Sequence, residues 1–187
     1  MDKGTPKRRR TSLRIASCAL DLFEERGFEA TTVAEVAAAA GVTEMTVYRH
    51  FPSKDRLVLD DPYDPLVAAS VGRQDPRLAP IRRAARGLRE AWSSLPEPAT
   101  GTTRRRVRLV AGSEVLRGAA WRNNQQTERL IADQLVRDGV DDLSAAAAAS
   151  ATLAALMAAL FLWAQDGDLT LSDAIGRALD VVEGRDG

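Results

Sequence analysis

The chain has 187 residues, 26 basic and 26 acidic side chains, and a single cysteine. That length buries a core without help from a metal or disulfide, and a lone Cys18 excludes any intramolecular disulfide and suits a reducing compartment. Abundant Ala and Leu, few aromatics and scattered β-branched residues favour an all-α fold over a sheet. The zero net charge hides segregation: residues 1–14 carry a net +5, residues 72–137 a net +8 and residues 138–187 a net −7. The basic stretches therefore favour anionic partners locally.

Residues 1–10 are polar and basic without apolar periodicity, which predicts a flexible arm. No apolar core follows, as a signal peptide would require. Leu13, Ala16, Leu20 and Phe23 then repeat with helical spacing, predicting a first helix from about Ser12 to Arg26, with Gly27 placed for a left-handed cap. Thr32-Val-Ala-Glu35 reads as a capping box, in which each side chain satisfies a free backbone amide at a helix start. Val33, Val36, Ala37 and Ala40 give that short second helix a buried face. Gly41 permits a sharp turn, Val42 plugs it, and Thr43 caps a third helix running to about Phe51. Pro52 and Ser53 end it, and Ser53 is placed to cap a fourth helix. That helix meets Asp60-Asp61-Pro62-Tyr63-Asp64-Pro65, where two prolines stop or kink it.

We place the head–body boundary at that interruption, giving an arm over 1–10, a head over 11–60 and a body over 61–187. Further helices are predicted over about 64–72, 76–94, 101–111, 113–138, 141–165 and 170–184, separated by Pro, Gly and Asp connectors. Ile81, Ala84, Ala85, Leu88 and Trp92 form one inward stripe, and Leu171, Ile175, Leu179 and Val182 another. Ala145–Ala164 carries no charge and is long enough to raise the question of a membrane span. It is mostly Ala, holds Ser150 and Thr152, and is flanked by acids, so a helix buried in a bundle is the expectation.

Two short helices joined by a Gly-Val turn between Thr32 and Phe51 form the layout of a helix-turn-helix. Small Ala37–Ala40 allow a close crossing, so the second helix is free to enter a DNA major groove. Thr43, Thr46, Tyr48, Arg49 and His50 can donate to phosphates or bases, Val47 and Phe51 are expected to face the core, and Lys54 is expected in the first turn of the fourth helix, near a phosphate.

The stretch from Thr31 through Tyr48-Arg-His-Phe-Pro-Ser-Lys54, together with Ala19-Leu-Asp-Leu-Phe-Glu-Glu-Arg-Gly-Phe28, closely resembles the TetR family signature over residues 12–57. The resemblance implies DNA contacts from Thr31, Thr32, Thr43, Glu44, Met45, Thr46, Tyr48, Arg49, His50 and Lys54. It also implies a homodimer joined through the last two long helices, with a ligand cavity in each body. The Pro-containing interruption departs from the unbroken connecting helix usual there. The body more loosely resembles the TetR subgroup that includes the mycofactocin regulator, for which acyl-CoA-like ligands are implied.

Other features stay open at this level. The Lys7–Arg10 arm reads either as a solubilising tail or as a contact to a minor groove or phosphates. Arg104-Arg105-Arg106 with Arg108 reads as a solvated helix face or as an anchor for an anionic effector. A subset of Tyr63, Trp92, Trp121, Gln125, Met157 and Phe161 is expected to border a ligand cavity. His50 is the sole histidine, and no catalytic constellation, metal-ligand spacing or cofactor motif is present. The expectation is an all-α regulator, not an enzyme, with an N-terminal three-helix helix-turn-helix domain and a C-terminal helical bundle. It should be cytoplasmic and off the membrane, needing no cofactor or metal, and act as a dimer on double-stranded operator DNA under a small-molecule effector. A constitutive DNA-binding or protein-interaction module without an effector is the competing class.

Overall fold

The structure, a computed structural model, describes residues 6–59, 64–94 and 100–185. Among them every regular element is helical: α1 (Pro6–Arg26), α2 (Val33–Ala39), α3 (Glu44–His50), α4 (Arg56–Leu59), α5 (Asp64–Gly72), α6 (Pro80–Ser93), α7 (Thr100–Gly112), α8 (Glu114–Arg137), α9 (Asp142–Gln165) and α10 (Leu171–Glu183). The chain separates into two compact units. The first comprises the stretch up to residue 60 with Leu109–Ala119; the second comprises residues 61–108 and 120–187. The end of α7 and the start of α8 therefore cluster with the head, which an uninterrupted body over 61–187 does not anticipate. Periodicity reports which face of a helix is apolar, not which distant segment will cover it.

In the first unit α1 packs on α2 and α4, and α2 on α3. Ile15, Ala19 and Phe23 of α1, Val36 and Ala37 of α2, and Val47 of α3 are buried. The helix begins at Pro6 rather than near Ser12, so the basic residues from Lys7 to Arg10 are helical, not a flexible arm. Proline is favoured in the first turn, Lys and Arg are good helix formers, and the Thr11 hydroxyl donates to the Lys7 carbonyl at 3.0 Å.

In the second unit α6 packs on α5, α9 and α10, and α10 packs on α9. Val71, Ala84, Ala85, Leu88, Ile131, Leu135, Ala149, Trp163, Ile175 and Leu179 belong to one buried core. Helix α6 starts at Pro80, not near residue 76. Asp75 instead accepts from the Arg77 amide at 2.9 Å in a local turn, and Ala79 is extended because it precedes a proline. The Arg77 guanidinium also holds the Asp75 carboxyl down to about 2. Arg83 is buried on α6 and pairs with Asp138, whose carboxyl it holds below its ordinary value. At the other side of α6, Arg89 donates to Asp180 at 2.9 Å and to the buried Glu183 at 3.4 Å, tying α10 down.

Two arginines of the α7 run are engaged with the end of α9. Arg104 donates to the carbonyls of Asp166 at 2.8 Å and Leu169 at 3.1 Å, and its guanidinium lies 4.7 Å from the centre of the fully buried Trp163 ring. Arg108 donates to the Ala164 carbonyl at 2.6 Å. Both cations thus satisfy carbonyls at and beyond the negative end of α9, where no intrahelical donor is available. Among the described residues α9 alone is long and apolar enough to cross a membrane, and a third of its most apolar stretch is buried.

Candidate nucleic-acid interface

The recognition geometry is assembled from α1 outward. Phe28 meets Phe23 edge-on with ring centroids 5.0 Å apart, which seats the chain after the α1 cap. Thr31 is buried, and its hydroxyl donates to the Gly27 carbonyl at 2.9 Å. Its side chain therefore cannot meet DNA here, contrary to what the resemblance implies for it. Thr32, one residue on, is exposed and caps α2. Its hydroxyl accepts from the Glu35 amide at 3.2 Å, and its own amide donates to the Glu35 carboxylate at 2.7 Å. The Thr32 amide, with the Thr32 hydroxyl 2.8 Å from the same carboxylate oxygen, holds the Glu35 carboxyl below its ordinary value.

Gly41 follows with φ of +61°, and a Cβ there would touch nothing, so backbone conformation and not space calls for glycine. The Val42 amide closes the turn on the Ala37 carbonyl at 3.0 Å. Thr43 caps α3 through the Thr46 amide at 3.2 Å. Val47 and Phe51 are buried, which pins one face of α3 to its unit and turns the other outward. Thr43, Glu44, Met45, Tyr48 and Arg49 are exposed, and Thr46 and His50 partly so. Met45 and Tyr48 are 75% and 47% accessible, too much for core side chains of their size.

His50 Nδ1 lies 2.7 Å from the Ser12 hydroxyl of α1. Burial holds the imidazole below its ordinary value of 6.5, with Arg8 and Arg49 acting in the same direction. Lys54 is placed differently from its expectation. It lies in the turn before α4, which starts only at Arg56, and its ammonium sits 4.4 Å from the centre of the Phe28 ring while donating to the Glu29 carbonyl at 3.3 Å. Two ammonium protons remain for an anion. Burial lowers the Lys54 pKa from 10.5, opposed by Glu29 and Glu35. Ser12 is the contributor that sequence reasoning missed; a serine on a helix face carries no signal of a partner 38 positions away.

The residues expected to border a ligand cavity are not gathered in the same way. Trp92, Met157 and Phe161 are partly buried on α6 and α9, whereas Trp121 and Gln125 lie on an exposed face of α8, with Trp121 at 63% accessibility. Trp121 and Gln125 share that face with Arg117 and Arg129 at four-residue spacing. Tyr63 lies outside the described residues, as do residues 60–62 of the proline-containing interruption. Among the described residues no three His, Cys, Asp or Glu side chains are grouped to hold a metal.

A short capped helix, a glycine turn and a second capped helix with one outward polar face leave one comparison to decide the family. Residues 15–60 match the bacterial regulatory proteins of the tetR family, and residues 78–186 match the MftR C-terminal domain. The chain belongs to the TetR family. It is a TetR-family DNA-binding transcriptional regulator with an MftR-like C-terminal domain, not an enzyme. The putative mycofactocin biosynthesis transcriptional regulator MftR of Mycobacterium tuberculosis is 26% identical over 182 residues, covering 94% of this chain and 91% of that protein. The nucleoid occlusion factor SlmA of Escherichia coli is 45% identical, but over 56 residues and 28% of its length. Among solved structures, NalD of Pseudomonas aeruginosa, the secondary repressor of the MexAB-OprM multidrug efflux pump, aligns at a TM-score of 0.61 with 25% identity, covering 95% of this chain and 97% of that one. SmeT, the repressor of the Stenotrophomonas maltophilia pump SmeDEF, aligns at 0.59 with 20% identity, over 92% and 88% of the two chains, and supports the fold alone.

Proposed function

We propose that this TetR regulator is a cytoplasmic, ligand-responsive repressor that holds a roughly palindromic operator as a homodimer and releases it when a small molecule binds the C-terminal domain. The observation that carries the reading is the two-faced α3: Val47 is sealed inside, while Tyr48 and Arg49 stand outside on the same rigid turn. Thr32, Thr43, Glu44, Met45, Thr46, His50 and Lys54 complete the proposed DNA contacts; Thr31 supports them from within. The description of NalD as a repressor supports the sign of the response.

Support for the dimer comes from α9. Leu143, Ala147, Ala151, Ala154, Ala158 and Leu162 are all exposed and recur at four- and three-residue steps, an apolar seam of the kind helices use to pair. Two recognition helices that read successive major grooves of a palindromic operator need a spacing of about 34–36 Å, one turn of duplex. Effector binding in the body then needs a differential of only about 1–3 kcal/mol between dimer geometries to favour release. Trp92, Met157 and Phe161 are the proposed cavity-side residues, and the subgroup resemblance makes acyl-CoA-like molecules the first effectors to try.

The test is selection of bound duplexes from a random pool by the full chain, followed by anisotropy titrations on the enriched sequence. An enriched inverted repeat is expected, bound about tenfold or more weakly by Tyr48→Ala and by Arg49→Ala, since one good base or phosphate contact contributes roughly 1–3 kcal/mol. A long-chain acyl-CoA should lower operator affinity without unfolding the protein. No enriched sequence, or Tyr48→Ala and Arg49→Ala binding like the parent, overturns the assignment; operator binding indifferent to all small molecules tried points to the constitutive class.

A further inference from the structure

The first turns of α1 hold an arrangement that helix electrostatics disfavours. Lys7, Arg8, Arg9 and Arg10 occupy consecutive exposed positions directly after Pro6, with Arg14 one turn on and no acid in the first turn. The N-terminal end of a helix carries positive partial charge, and Lys7 with Arg10 and Arg10 with Arg14 repeat like charge at three- and four-residue spacing, so an approaching anion is favoured here. Extended helical structure also fixes where these charges lie. The hydrogen bond of 2.7 Å between Ser12 and His50 ties this end of α1 to the end of the recognition helix. The groups acting on the His50 ring besides burial are Arg8 from α1 and Arg49 from its own helix, both cationic. The basic start of α1 thus lies beside the end of the recognition helix.

We propose that the Lys7–Arg14 segment of α1 is a second, backbone-reading DNA surface, in which Arg8, Arg9 and Arg10 take phosphates of the duplex flanking the base steps read by α3. It deepens the DNA-binding reading above and rests on it. Arg8, one helical turn before the Ser12 that holds His50, is the central contact. The surface adds affinity and salt dependence without sequence preference, because phosphates carry no base information. Fixing the cations on a helix, instead of on a loose arm, removes the ordering cost that a flexible tail meets on binding.

The experiment compares the full-length parent with an Arg8→Gln, Arg9→Gln, Arg10→Gln triple variant and with the corresponding triple Arg→Lys variant. Gln and Lys both favour helix, the sites are exposed, and circular dichroism confirms the helical content. Binding is measured by anisotropy between 50 and 300 mM KCl (roughly the range over which counterion release is read) on the selected operator and on a mixed-sequence duplex of equal length. The Gln variant should show a slope of log K against log salt shallower by about 2–3. Its affinity should fall roughly tenfold or more at physiological salt, equally on both duplexes, while the Lys variant follows the parent. A Gln variant with the parent's slope on both duplexes overturns this proposal and leaves the recognition-helix assignment standing. A loss confined to the operator also overturns it, because phosphate contacts cannot discriminate sequence. A parent that binds neither duplex removes the underlying DNA reading and this proposal together.

Discussion

Thr31 and Thr32 are chemically identical neighbours with opposite surroundings. The first is buried with its hydroxyl on the Gly27 carbonyl; the second is exposed and caps α2. A signature that assigns both to DNA cannot separate them, because the difference lies in which way the chain enters α2. Thr32 also shows how a presumed contact residue is needed for the fold before any ligand arrives. Replacing Thr32 with Ala removes the hydroxyl half of the capping box, keeps the backbone amide that donates to Glu35, and should destabilise the chain by about 1 kcal/mol. Urea denaturation would show this as a lower midpoint at unchanged slope; an unaltered midpoint would mean that the Thr32 hydroxyl contributes nothing net.

At the level of elements, the caps and breaks of the head were legible because they depend on residues within four positions of one another: Thr32 with Glu35, Thr43 with Thr46, and Gly41 between. The crossing of α5 and α6 was not. Gly87 lies buried in the middle of α6, where local propensity disfavours it, and a Cβ there would stand 2.6 Å from the Val71 backbone. Only the approach of α5 explains that glycine. Gly87→Ala should therefore lower stability by roughly 1–3 kcal/mol, although alanine is the better helix former. Thermal unfolding of the variant measures this, and a rise in midpoint would show that α5 yields easily. The arginine run of α7 carries the same lesson. Arg104 and Arg108 read as an anion site or a wet face until α9 ends beside them and presents its carbonyls.

For the molecule as a whole, the exposed seam of α9 is the feature that a single copy leaves unexplained. Leu143 at 80% and Leu162 at 65% accessibility bracket four alanines on that seam. If a second copy covers it, the double variant Ala151→Glu, Ala154→Glu should sediment as a folded monomer and lose operator affinity, because each half-site alone is bound weakly. Persistence of a dimer in that variant would move the interface elsewhere.

What the amino-acid order determined by itself was local. It specified helices nearly throughout, caps and a glycine turn at a spacing that makes a helix-turn-helix, and a recognition helix with one apolar and one polar face. All of these depend on backbone preferences and on hydrogen bonds between near neighbours. The tertiary structure decided the rest: that Thr31 faces inward, that Ser12 holds His50, that Lys54 lies over Phe28, and that Leu109–Ala119 joins the head. Each of those outcomes needs groups far apart in the chain to meet, and packing, not periodicity, selects which of them do.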